Sequence, residues 1–242
     1  MFHVKPVNTT DLDRLVESVS ARYALSVVQS EQLVEILRIV AGDDLAPTTV
    51  REPKRALDIH LADSLTALEL EVVRGANWIA DIGAGAGFPG LPLAVALPGA
   101  QIRLVESHAR KCEFIERMVI GAGITNADVV CSRAEQWTRG LGVHDLVVAR
   151  AVGPQPVVLE YAAPLLRLGG ALVDWRGRRD PGDERLGAAA ADLLGLRLES
   201  IQRMEPYEGV RDHNLHVYLK VEETPERFPR RAGMARKKPL VA

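Results

Sequence analysis

Cysteine is scarce in this chain. Cys112 and Cys131 sit in apolar, patterned segments and lack the paired spacing of metal ligands. A disulfide framework or a zinc site is therefore not expected, and both thiols read as reduced and structural. An excess of one charge is also missing. Thirty Lys and Arg against 32 Asp and Glu leave a formal charge of −2, so a polyanion would have to be held by local patches. No uncharged apolar run reaches the length of a membrane span. The stretch MFHVKPVNTTDLDRL has no apolar signal core. The expectation is a cytoplasmic protein with no membrane attachment, and no internal repeat is visible. What is present is 242 residues with 47% hydrophobic content, enough for one large domain or one domain with an extension.

Residues 1–75 read as helical. Thr10 is placed to cap a first helix, with Leu12, Leu15, Val16 and Val19 on one face. A second helix is expected from Ser30 to Gly42. After a polar connection, DDLAPTTVREPKR, the stretch ALDIHLADSLTALELEVV reads as a third amphipathic helix. From Asn77 the texture changes to short apolar strands alternating with helices. Strands are expected at 77–82, 101–106, 127–132, 145–149 and 170–175, followed by two from LRLESIQRM and LHVYLKVE. Helices are expected after the glycines and over 108–120, with a short segment near 134–140, and the pattern changes after the Ala-rich 184–195. This succession predicts an α/β, Rossmann-like, mostly parallel seven-stranded sheet with an antiparallel last strand and an N-terminal helical extension. The expected division is 1–75 for the extension, 76–222 for the sheet domain and 223–242 for a basic tail.

The stretch ADIGAGAGFPG, at 80–90, has glycine at 83, 85 and 87. A Gly-rich strand-to-helix turn permits unusual dihedrals and close backbone approach to a ligand, and the helix after it offers free N–H groups. A dinucleotide fold wants G-x-G-x-x-G. Here Gly87 gives G-x-G-x-G and bulky Phe88 takes the third dinucleotide position. With Asp81 two residues before the first glycine, the combination is the usual first motif of S-adenosylmethionine methyltransferases. Glu106 closes the next strand, where it can accept from ribose hydroxyls; an acid there would serve NAD equally. Leu168-Gly169-Gly170 is a turn common in methyltransferases and weak alone. The expected cofactor is S-adenosylmethionine, its methionine end packed on the glycine backbone at Gly83, Gly85 and Gly87.

The residues after the fourth strand narrow the acceptor. An exocyclic-amine methyltransferase often has (D/N)PP(Y/F) there, and this chain has Val148-Ala149-Arg150-Ala151-Val152. Neither cysteine lies in the Pro-Cys loop that carbon-5 methylation of a pyrimidine requires. Ring nitrogen 7 of guanine needs no base, so holding donor and acceptor in line would suffice.

The chain resembles the bacterial 16S ribosomal RNA guanine-N(7) methyltransferase family. The resemblance rests on HLADSL (60–65), DIGAGAGFPGLPLA (81–94), SRAEQW (132–137), VARAV (148–152) and RFPRRAGMARKKPL (227–240). It implies cofactor contacts by Gly83, Phe88, Ala134 and Glu135, with Glu135 accepting from the adenine amino group. It also implies that Arg150 holds the cofactor carboxylate or an RNA phosphate and positions the reactants; no other catalytic residue is assigned. Two places depart from the family pattern. Arg176-Gly177 replaces Lys-Gly, and His213-Asn214-Leu215 replaces Arg-His-Leu.

The expected partner is 16S rRNA or the small ribosomal subunit, with no obligatory protein partner evident. Candidate phosphate contacts are Arg51, Lys54 and Arg55; Arg176, Arg178 and Arg179; and Arg230, Arg231, Arg236, Lys237 and Lys238 in a tail expected to contribute little to the core. An assembly factor on the same fold and a small-molecule methyltransferase stand as the alternatives.

Overall fold

The computed structural model describes residues 9–240. Two helices come first, α1 (Thr9–Arg22) and α2 (Val27–Gly42). Thr10 lies inside α1. The second helix starts earlier than Ser30, because Ser26 and Gln29 form a reciprocal capping box that satisfies two free N–H groups. Leu33, Val34, Ile36, Leu37 and Val40 form its buried face.

The expected third helix is broken. A short helical turn at Pro53–Ala56, capped by Glu52, runs into a π-helical stretch at Leu57–Ala62, and the chain tightens to 3-10 geometry at Thr66–Glu69. A π-turn carries extra residues per turn and re-aims the side chains beyond it. Here it delivers His60 and Asp63 toward the sheet rather than along one uniform stripe.

The sheet is built from β1 (Trp78–Ile82), α3 (Gly90–Ala96), β2 (Gln101–Glu106), α4 (Ala109–Gly121), β3 (Ala127–Cys131) and β4 (His144–Arg150). Then come α5 (Gln155–Ala162), β5 (Leu166–Arg176), α6 (Pro181–Leu193), β6 (Leu196–Arg203) and β7 (Asn214–Lys220). Helix α5 shows no amphipathic stripe in QPVVLEYA because all eight of its residues are buried.

The strand order is β3-β2-β1-β4-β5-β7-β6. The first five strands pair in parallel, and β7 inserts antiparallel between β5 and β6. Chain direction across the sheet reverses at β1 and β4, whose carboxyl ends therefore border the crevice where open α/β sheets take ligands.

Alternate residues of β1 face different cores. Ile79 packs with α1, α2, α3 and α4, whereas Ala80 and Ile82 pack with α5, α6 and the C-terminal segment. That segment is part of the second core: Phe228 and Ala235 are buried in it, contrary to the expectation of a tail outside the core. No helix among the described residues is long and apolar enough to cross a membrane.

Candidate cofactor site

The carboxyl ends of β1, β2, β3 and β4 surround a cavity of about 420 Å³, within the size range of small-molecule sites. Gly83, Glu106, Ala134 and Glu135 line it together. The glycine turn leaves β1 with φ of +68°, +62° and +91° at residues 83, 85 and 87, values that favour glycine. Gly83 is exposed on the cavity wall, and a β-carbon there would meet a Val152 methyl at 3.0 Å.

Glu106 is fixed before any ligand arrives. Its Oε2 accepts from the Gly85 N–H at 3.1 Å, and its Oε1 from the N–H groups of Ser107 and His108 at 2.6 and 2.9 Å. Burial alone would raise this carboxyl. The His108 N–H and ring, the Lys111 charge and the Ser107 N–H outweigh burial and hold it below the ordinary glutamate value. The group is thus a charged acceptor at neutral pH, suited to hydroxyl donors. At the other end, Glu135 accepts from the Gly233 N–H at 2.9 Å through Oε1.

Gly85 contributes through its N–H to Glu106. Gly87, Phe88 and Arg150 do not line this cavity. Gly87 is buried, with its α-carbon against Leu91. Phe88 is 5% exposed and stacks face to face on His60, the ring centroids 4.4 Å apart. Arg150 donates to Asp63 Oδ2 at 2.6 Å and to the Ile59 carbonyl at 2.9 Å. Asp63 Oδ1 lies 2.6 Å from His213 Nε2, and its carbonyl accepts from the Trp175 indole. Burial, reinforced by the Arg150 charge, pushes the His60 imidazole down to about 4 and keeps it neutral. His60 and Asp63 therefore pin the helical extension onto the glycine turn and the ends of β4 and β5. They do not bond each other.

Several cavity residues are not legible in the sequence as site residues. Ser107, His108 and Lys111 come directly after Glu106, so their position at the strand end is a usable signal. Ala151 lines the cavity with φ +56°, a left-handed value unusual for a residue with a β-carbon. Tyr161 comes from α5, and Arg236, expected to contact RNA, comes from the C-terminal segment.

The basic candidates divide by pairing. Arg51 bonds Asp44, Lys54 lies 3.4 Å from Asp58, and Arg179 forks onto Glu184. Arg176 donates to the Gly153 carbonyl and stands 3.7 Å from Asp174. Arg230 is held by buried Glu160. Arg55, Arg178, Arg231, Lys237 and Lys238 are exposed and, among the described residues, have no acid within ion-pair distance.

The strand order, the crevice cavity and its fixed carboxylate make a Rossmann-like fold with a candidate nucleoside site at the carboxyl edge of its sheet. Solved structures share this fold. Aeropyrum pernix fibrillarin in complex with S-adenosyl-L-methionine superposes with a TM-score of 0.53 at 18% identity, covering 65% of this chain and 73% of that chain. A SAM-dependent methyltransferase from Aquifex aeolicus gives 0.53 at 14% identity, covering 69% and 93%. At the sequence level, the profile of a family described as rRNA small subunit methyltransferase G matches residues 29–209. A protein of that name from Rubrobacter xylanophilus is 35% identical over 99% of this chain and 94% of its own length. Another, from Carboxydothermus hydrogenoformans, is 36% identical over 91% and 96%. The chain belongs to the rRNA small subunit methyltransferase G family.

Proposed function

We propose that this protein transfers a methyl group from S-adenosylmethionine to ring nitrogen 7 of a guanosine in 16S ribosomal RNA. The observation that carries the reading is the Glu106 carboxylate, charged and immobilised on the wall of the crevice cavity, in a chain of this family. Three N–H groups already orient it, so little ordering cost remains when hydroxyls arrive. The chemistry of the residues fits the cofactor: an acceptor for ribose hydroxyls at Glu106, a second carboxylate at Glu135 for a base, and exposed glycine backbone at Gly83 for a close apolar approach.

When bound, S-adenosylmethionine supplies an electrophilic methyl on a sulfonium. The chain's own task is positional. Glu106 and Glu135 would hold the ribose and the base of the nucleoside, and Gly83 leaves room for the methionine end. The guanine N7 lone pair is free at neutral pH and its methylation releases no proton, so alignment at contact distance can carry the rate. Of the sequence's basic candidates, the exposed Arg55, Arg178, Arg231, Lys237 and Lys238 are available for phosphate contacts, which would make RNA binding fall with salt.

The test is mass-spectrometric mapping of methylated nucleosides in small-subunit RNA from cells with and without the protein. Loss of one 7-methylguanosine on deletion, restored by the wild-type gene, supports the proposal. An unchanged nucleoside profile with retained ribosome binding would favour the assembly-factor alternative.

A further inference from the structure

The C-terminal segment is anchored at three points. Arg230 forks onto Glu160, with Nε to Oε1 at 2.8 Å and Nη2 to Oε2 at 2.5 Å. The same Nη2 donates to the Lys238 carbonyl at 2.8 Å and closes residues 230–238 into a loop. The Gly233 N–H bonds Glu135, and Arg236 Nη2 donates to the Val152 carbonyl at 2.8 Å. Glu160 is 1% exposed, so the fork sits on a buried carboxylate and has no equivalent alternative in water.

These anchors place Arg236 on the cavity wall beside Glu135 and Tyr161. One Glu135 oxygen is committed to Gly233, and the other is left to accept from a ligand. Arg236 brings guanidinium donors to the same end of the cavity. The edge of adenine carries an amino donor next to a ring-nitrogen acceptor, and a carboxylate beside a guanidinium is the complement of that pattern. A 6-oxo base would turn its oxygen toward the carboxylate and lose the match.

We infer that Arg236 is a cofactor-binding residue which, with Glu135, reads the adenine base, so that residues 227–238 form a wall of the cofactor site and not a detachable RNA arm. This rests on the reading of the cavity as the S-adenosylmethionine site.

The experiment is calorimetric titration of the full chain with S-adenosylhomocysteine, and separately with adenosine and inosine, for wild type, Arg236→Ala, Arg236→Lys and Glu106→Gln. Arg236→Ala should weaken S-adenosylhomocysteine binding about tenfold, the usual scale for one lost charged hydrogen bond. It should also bring the adenosine-to-inosine affinity ratio toward one, and Arg236→Lys should recover part of both. Weak binding by Glu106→Gln with normal binding by Arg236→Ala would overturn the inference and leave the cavity reading standing. Normal binding by both would remove the cavity reading and the inference with it. If Arg236→Ala also lowers the melting temperature, the adenosine-to-inosine ratio decides: a fall supports base reading, and an unchanged ratio shows a structural role alone.

Discussion

The glycine turn at 83–90 and the C-terminal segment at 227–240 border the same cavity and are built on opposite principles. The turn is local. Its shape comes from positive φ at three glycines, from β1 behind it and from Glu106 bonding its backbone. The C-terminal segment is held by partners 70 to 98 residues away in sequence, Glu160 and Glu135. The first is a backbone device, crowded most at Gly87; the second is held by long-range contacts, of which the Arg230–Glu160 ion pair is the buried one. The site joins a part written in a short motif to a part written only in the tertiary structure.

The strongest way to break this comparison is to cut the long-range anchor. Arg230→Ala leaves the Glu160 carboxylate buried without a partner, and breaking a buried pair from one side typically costs 3–5 kcal/mol. Because the Arg230 side chain is 24% exposed, a loss of about 3 kcal/mol is expected in urea denaturation. A loss below about 1 kcal/mol would show that the segment does not hold its pair in solution.

Adding one carbon to the local device comes next. A β-carbon at Gly87 would lie 2.3 Å from Leu91 Cδ1, at φ +91°. Gly87→Ala should cost about 2 kcal/mol from backbone strain and overpacking. Gly99 has no atom within 4 Å of the same position, so Gly99→Ala should stay within about 0.5 kcal/mol. Equal effects at the two sites would contradict the packing account.

A smaller stability effect with a larger functional one is expected at Gly83. Its added carbon meets a movable Val152 methyl at 3.0 Å, at φ +68°. Gly83→Ala should cost about 1 kcal/mol, yet weaken S-adenosylhomocysteine binding about tenfold or more by filling the cavity wall. Unchanged affinity would move the cofactor away from the turn.

A separate effect, a pH dependence, lies away from both regions. Burial raises the Asp174 carboxyl to about 7, only partly opposed by Arg176 and by the hydrogen bond with Gln155. A raised folded value favours folding fully below the ordinary aspartate value of 3.8, and that contribution is lost as pH climbs to about 7. Asp174→Asn removes the loss. The stability of the variant relative to wild type should rise from pH 4 to pH 7 and level off above. A flat difference across that window would place the Asp174 titration elsewhere.

Legibility divides along the same line. The five parallel strands are readable from short apolar runs, as strands covered on both faces show up as such runs, and the antiparallel β7 from the alternation of Leu215, Val217 and Leu219. Gly83 and Glu106 stand out at strand ends where a doubly wound sheet reverses direction, Ala134 and Glu135 only through the resemblance, and the four line one cavity. Helix α5 is not readable, because burial on every side erases its periodicity. The broken helix at 53–69 escapes a sequence reading because apolar spacing does not report a π-turn. Phe88 and Arg150 enter through resemblance alone, and no local pattern signals their partners His60 and Asp63. The tail reads as free because six basic side chains with one acid look solvated. The acid that holds Arg230 lies in α5, and no local pattern signals such a pairing.

The account stands most directly on one measurement, a crystal structure of the full chain grown with S-adenosylhomocysteine. The prediction is an adenosyl group in the crevice cavity, its ribose hydroxyls on Glu106 and its base between Ala134, Glu135 and Arg236, with Arg230 still on Glu160. An adenosyl group bound outside this cavity would contradict it, as would a C-terminal segment displaced from Glu135 when the ligand enters.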